Sequence, residues 1–280
     1  MPANSSVFNK YFSLPAVLLW SAVHASAQIP DLDQTQLQWL GERIYQNECN
    51  GRTECLTSWN PGENFPSLGI GHFIWFRSGQ VEAYTETFPE LLDFYQRAGI
   101  SLPAWLAESP QRDSPWPDRA TFYSEIDGER LRSLRQFLSQ TQAVQVAFIV
   151  QRMQLALPRL LAAAAPTERD AMGDLFHRVA NSRPPHGMYA LIDYIHFKGE
   201  GISPTERYNG QGWGLLQVLQ TLYTQEQQSV SSDQQILAGF ADAAAAVLRQ
   251  RVANAPPERN EQRWLEGWLK RVAGYDPDAL

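Results

Sequence analysis

Apolar residues recur at intervals of three and four along most of this chain, in runs such as LRSLRQFL (131–138) and QRWLEGWLKRV (262–272). That spacing puts the apolar side chains on one face of an α-helix. The pattern predicts a first helix over 37–48, with Asp33 or Thr35 as its cap. It predicts further helices near 89–97, 103–108, 128–140, 142–165, 167–181, 188–198, 214–225, 234–253 and 260–273. Residues 50–79 break the period. Gly, Pro, Asn and Ser cluster there around SLGIGHFIWF (67–76), which predicts a small β-hairpin or short sheet. The fold class read from this is α+β, mainly α. Two other stretches interrupt the helical pattern. SPQRDSPWPD (109–118) is Pro-rich and reads as an exposed loop between lobes. FKGEGISPTERYNGQGWG (197–214) is long, Gly-rich and charged; loops of that length in a compact domain are usually functional or disordered, and its Arg, Tyr, Trp and Glu content argues for the former. The sum is one domain over 28–280, with lobes near 28–110 and 119–280.

The N-terminus changes the picture by setting a compartment. Lys10 precedes the apolar run 12–20, which is too short to span a bilayer, and Ala25-Ser26-Ala27 gives a small-x-small cleavage pattern. This reads as a secretory signal peptide over 1–27, so the mature chain is expected to begin near Gln28 and to be periplasmic or secreted, with no stable membrane insertion after cleavage. Export makes the two cysteines legible: Cys49 and Cys55 are an even pair in an oxidising compartment, and a disulfide is expected. A loop of about seven residues gives ~2.4 kcal/mol from chain entropy, enough to fix local geometry but not to hold the fold. The formal charge is −7 and no Lys/Arg run occurs. Nucleic acid is therefore excluded as a partner, and little steering toward an anionic polymer is expected.

Helix geometry singles out one carboxylate. At 100° per residue, Leu37, Leu40, Ile44 and Glu48 share a stripe, and Glu42 lies on the opposite, solvated side. A carboxyl that ends an apolar face at a helix C-terminus has its charged form disfavoured by desolvation and by the helix dipole. Its pKa is expected to rise, as a general acid requires. The competing reading is a buried Glu bonded to loop backbone.

The segments IYQNECNG (44–51) and SLGIGHF (67–73) together resemble the lysozyme-like superfamily. In phage-type lysozymes a Glu on the first long helix precedes a small hairpin with a Thr-Ile-Gly-Ile-Gly-His segment, which Ser67-Leu68-Gly69-Ile70-Gly71-His72 matches. Chitosanases of the superfamily are similar in the turn after that helix, where Glu48-Cys49-Asn50-Gly51 falls here. The resemblance implies a lysozyme-like two-lobed helical domain and a glycosidase on an amino-sugar polymer, peptidoglycan or chitosan-like, with Glu48 as proton donor and no cofactor. It carries Ser67 and His72 into the catalytic set, His72 to orient a neighbour, and gives Gly69 and Gly71 the role of letting backbone approach substrate. The chain departs from the family in a longer Glu48–Gly69 spacing, and of the family's second polar groups only Ser67 is in register. Glu63, in the inserted segment, is the candidate second carboxylate. Across a cleft at ~6.5–9.5 Å it would activate water for an inverting hydrolysis; without it a lone acid/base would suit a lytic transglycosylase.

The loop 197–214 reads as the opposite wall of the same cleft. Glu206, Arg207, Tyr208, Asn209, Gln211 and Trp213 offer the donors, acceptors and aromatic faces that a polysaccharide partner needs. Asp174 and His177, and Asp193, His196 and Glu200, lie at helical spacing, but neither a di-iron pattern nor a His-Glu-x-x-His motif is present. These are read as solvated helix faces, and no metal is expected. No Gly-x-Ser-x-Gly elbow supports serine chemistry. A binding-only protein of the envelope with a degenerate site remains the alternative to the enzyme.

Overall fold

The computed structural model describes residues 28–279 except 83, 110, 111, 229–231, 233 and 234. The expected signal peptide lies outside the described residues. Helix α1 spans Gln34–Cys49 and opens on a capping box: Asp33 Oδ1 accepts from Gln36 N at 2.8 Å, and Gln36 Oε1 accepts from Asp33 N at 3.0 Å. Of the two cap candidates it is Asp33 that serves. The helix stops at Asn50, which is left-handed at φ 49°, a conformation Asn adopts more readily than most residues. Cys49 and Cys55 are bonded with Cα atoms 5.4 Å apart, so the turn leaving α1 is pinned at both ends.

The predicted hairpin is a three-stranded antiparallel sheet of very short strands, β1 (Thr57–Ser58), β2 (Ser67–Leu68) and β3 (Phe73–Ile74). Thr57 faces Leu68, and Leu68 faces Phe73. This order puts the loop 59–66 at one end of the sheet and the turn Gly69–His72 at the other, beside the disulfide end of β1.

The rest is helical: α2 (Phe88–Arg97), α3 (Ala104–Ala107), α4 (Arg119–Ser124), α5 (Glu129–Gln140), α6 (Gln142–Ala162), α7 (Arg169–Asn181), α8 (His186–Lys198), α9 (Leu215–Gln228), α10 (Ile236–Asn254) and α11 (Gln262–Ala273). Each helix expected from the periodicity is present within a few residues of its expected ends. Helix α4 was not expected; six residues after a Pro-rich run give too short a window for the period to show. Helix α1 packs on α6, and α10 packs on α9 and α11. The stripe of α1 turns inward as expected, with Leu40 and Ile44 buried and Glu42 exposed.

One loop departs from expectation. The 109–118 segment is not simply exposed: Trp116 is buried at 1% and Ser114 is buried with it. The Trp116 ring packs edge-on against Trp75, Trp105 and Phe122, and its Nε1 donates to Glu125 Oε2 at 3.0 Å. The area of one indole outweighs the polar and Pro content around it.

Candidate active site

Glu48 sits one residue before the disulfide-linked end of α1, with its side chain 20% exposed. Its Oε1 accepts from Arg271 Nη2 at 2.6 Å. Its Oε2 has no hydrogen-bond partner among the described residues and lies 3.9 Å from His72 Nε2. The carboxylate is therefore pinned through one oxygen and open at the other. It is not the lone acid on apolar surface that the stripe of α1 implied.

Arg271, near the end of α11, is itself held from below. Asp193 on α8 is 1% exposed and receives Nε at 2.9 Å and Nη2 at 2.7 Å from it. Tyr275 OH adds a third bond to Asp193 at 2.6 Å, and Asn47 Nδ2 a fourth at 2.8 Å. The same Asn47 nitrogen also donates to Tyr189 OH at 2.8 Å. Burial works against the Arg271 charge, but its bonds to Asp193 and Glu48 win and push its pKa up. Burial and the Asp193 charge push the Tyr275 phenol well up as well. His196 lies within electrostatic reach of Glu48, Asp193, His72 and Arg271; burial, only partly opposed by the two carboxylates, pushes its imidazole below the ordinary value.

Helix α6 fixes the turn in front of Glu48. Gln145 is fully buried, donates Nε2 to Leu138 O at 2.7 Å and accepts Ile70 N at 2.9 Å. Gly69 has φ 69°, and a Cβ there would lie 2.3 Å from Gln145 Oε1. At Gly71 a Cβ would meet the Phe73 ring at 2.5 Å. The two glycines thus serve the turn's own packing, and Gly71 also borders a cavity of about 510 Å³. That cavity is walled by Phe73, Ile149, Met153, Phe176 and Ile192, with His196 in its lining and Arg152 and Arg159 among its charged residues.

The other expected site residues are divided. Ser67 is buried in β2, and its carbonyl accepts from Ser58 Oγ. His72 is left-handed at φ 48°, and its Nε2 is buried with no hydrogen bond among the described residues. Glu63 is not brought to Glu48. It lies in the 59–66 loop at the far end of the sheet and accepts from Asn60 Nδ2 at 3.2 Å.

Of the 197–214 segment, Glu200 lines the 510 Å³ cavity, and residues 206–213 do not. Tyr208 OH donates to Glu261 Oε1 at 3.0 Å, and Glu261 is clamped by Arg251 through two 2.8 Å bonds. Trp213 is buried against Tyr208, with the Arg251 guanidinium 4.1 Å above its ring. Arg207 and Gln211 border a separate cavity of about 450 Å³ with residues of α9 and α10. Asn209 reaches Asn254, and Glu206 is exposed. Tyr208 and Trp213 dock the loop on Glu261 and on Arg251 of α10, while Glu200 is paired with Arg159 of α6 and Arg207 bonds Gly210 O within the loop.

Asp193, Arg271, Tyr275 and Asn47 were missed from the sequence. Asp193 was read as part of a solvated face, yet it is the one acid in the apolar run MYALIDYIHF (188–197). A charge in a buried helix needs a buried partner, and that was the available signal. Among the described residues no group of three or more His, Cys, Asp or Glu is placed to hold a metal, and no helix is long and apolar enough to cross a membrane. Comparison with protein-family models, curated proteins and solved structures finds no match to this chain.

Proposed function

We propose that the protein is an exported glycosidase acting on an amino-sugar polymer, with Glu48 as its general acid. One observation carries the reading: Glu48 has Oε1 fixed by Arg271 and Oε2 unbonded, facing the Gly71-His72 turn. An acid in such a site must be held still and must keep one oxygen for the proton it delivers. The pinned end of α1, the bonded turn at Gln145 and the Asp193–Arg271 support give that rigidity. The cavity bordered by Gly71 and His196 offers adjoining space with an apolar wall and a few polar groups, as ligand sites commonly do. The disulfide is consistent with an oxidising compartment. With Glu63 at the far end of the sheet, the reading favours a lone acid/base, as a lytic transglycosylase would use, over an inverting pair.

A second reading rests on the same ion pair. A carboxylate bonded to a permanently charged guanidinium at 2.6 Å is also what a structural tie between α1 and α11 looks like. In that case the protein binds glycan without cleaving it. Release of soluble fragments from peptidoglycan and from chitosan separates the two. Wild type should cleave one of them, and Glu48→Gln should fold normally and lose at least ~10²-fold of the rate. Full turnover by Glu48→Gln, or no cleavage by wild type, overturns the enzymatic reading.

A further inference from the structure

The segment that leads into α1 is tied to the fold through its first described residue. Gln28 O accepts from Asn181 Nδ2 at 2.8 Å, and the same nitrogen holds His177 O at 2.8 Å, so the tie is made at the C-terminal end of α7. Ile29 and Leu32 are half-buried and pack on the core. Residues 28–32 line a cavity of about 610 Å³ together with Leu37, Val150 and Leu157. Only the backbone of Gln28 takes part in the tie. The residue is exposed, and its side-chain amide makes no hydrogen bond among the described residues.

The sequence places Ala25-Ser26-Ala27, the small-x-small cleavage pattern, directly before this residue. The peptide bond that the pattern marks for cutting ends at the Gln28 nitrogen, so cutting it leaves the bond to Asn181 intact. Cleavage there frees an α-amine on a glutamine. The amine nitrogen and the side-chain carbonyl carbon are then the two ends of the chain N–Cα–Cβ–Cγ–Cδ, and joining them closes a lactam. An attack within one residue has a high effective concentration. An α-amine titrates near about 7.7–8.0, so part of it is neutral and nucleophilic at neutral pH. Its lone pair forms the N–Cδ bond, the Cδ–Nε2 bond breaks, and Nε2 leaves as ammonia with the proton that the amine gives up. No oxidant, reductant or second substrate is consumed. The carbonyl that Asn181 holds stays outside the ring.

We infer that Gln28 is a modification site, and that the exported chain carries an N-terminal pyroglutamate formed from it. This rests on the reading that the chain is exported and cut after Ala27, and not on Glu48 being catalytic. The product has no α-ammonium beside a lining that includes Ile29, Leu32, Leu37 and Val150, and it offers an aminopeptidase no free amine.

The test is mass spectrometry and Edman degradation of protein exported from cells that express the whole chain. The intact mass should equal that of residues 28–280 less one ammonia and less the two hydrogens lost in the Cys49–Cys55 bond. Edman degradation should be blocked until the chain is treated with a pyroglutamyl peptidase. Gln28→Ala should be cut at the same place and give a readable N-terminus. Material caught with an open Gln28 should close over several days at neutral pH, no more than ten-fold slower than the free peptide of residues 28–32, because the fold holds only the carbonyl. An open Gln28 that persists would overturn the inference while leaving the cleavage reading in place. An uncut chain, or one that begins at another residue, would refute the cleavage reading and the inference with it. A blocked N-terminus in Gln28→Ala would put the blocking group elsewhere and overturn the assignment to Gln28.

Discussion

Arg271 is the residue whose removal says most. Methionine at this position keeps much of the stem and deletes the guanidinium, and with it both bonds to Asp193 and the bond to Glu48. Asp193 then remains 1% exposed with only the Tyr275 hydroxyl and the Asn47 amide as partners. Breaking a buried ion pair by removing one member typically costs ~3–5 kcal/mol, because the other charge stays behind without compensation. For a chain of this size 1 kcal/mol moves the thermal midpoint by roughly 2–4 °C. Arg271→Met should therefore unfold roughly 6–20 °C below wild type. Exposed pairs give no such effect, being worth about 0–1 kcal/mol.

The second half of the prediction separates charge from packing. Asp193→Asn added to Arg271→Met removes the stranded charge and keeps an amide able to bond Tyr275 and Asn47. The double variant should recover about half of the loss or more, so the two costs should be strongly non-additive. Urea unfolding followed by tryptophan fluorescence and by far-ultraviolet dichroism measures wild type, the two single variants and the double variant. An Arg271→Met cost below about 1 kcal/mol, or a double variant at the sum of the two singles, would show that the buried network does not hold α11 to α8.

Three other outcomes can be checked. Gln145→Leu leaves the Ile70 N–H and the Leu138 carbonyl without their side-chain partner, at about 1–3 kcal/mol for a buried group left unpaired; hydrogen exchange at residues 69–72 should quicken, and unchanged exchange there would deny Gln145 its hold on the turn. The hydrogen bonds from Arg251, and then that from Tyr208, hold the Glu261 carboxyl below its ordinary value of 4.5. A depressed acid contributes stability above that value and loses it as pH falls through the folded one, so wild type and Glu261→Gln should converge in stability in strong acid, and a gap that stays constant would contradict this. Burial, aided by the Arg251 charge, pushes Lys198 down to about 7. Stability should consequently rise with pH between about 7 and the ordinary 10.5. After reductive methylation with a carbon-13 label, Lys198 should titrate well below the ordinary lysine value of 10.5; titration at that value would refute it.

The parts of this fold that were legible in the sequence share one property: the signal is local. Capping, helical period and the Cys pair each lie within a few residues, and the stripe that aims Glu48 needs only the geometry of α1. Strands of two residues carry no period, so the sheet showed only as a break in the helical pattern. Trp116 misled because Pro and Asp around it indicate a loop, and a loop residue can still bury a full indole. The 197–214 loop misled for a related reason. Tyr208, Trp213 and Arg207 are the residue types that bind sugars, but Tyr208 and Trp213 are also the types that dock one helix on another, and Glu261, the acid that claims Tyr208, lies 53 residues away.

The Glu48 site itself is assembled from both ends of the described chain, which is why its sequence signature was half complete. Asp193 and Arg271 are 78 residues apart, and Arg271 and Glu48 are 223 apart. Neither separation leaves a trace in periodicity, but the pairing follows from a rule that acts on composition. The helix 186–198 is buried along most of its length, so its one carboxylate must find a cation, and any helix that packs on it must supply one. Arg271 answers that demand through Nε and Nη2, and the same Nη2 also donates to Glu48. The orientation of Glu48 is thus set by a charge buried in another helix. If so, Asp193→Asn alone should disturb Glu48 without touching it, by loosening the guanidinium that holds Oε1. The variant should lose stability in either case; in a protein that cleaves glycan it should also lose kcat in the fraction that stays folded, and in a protein that only binds the loss of stability should be the whole effect.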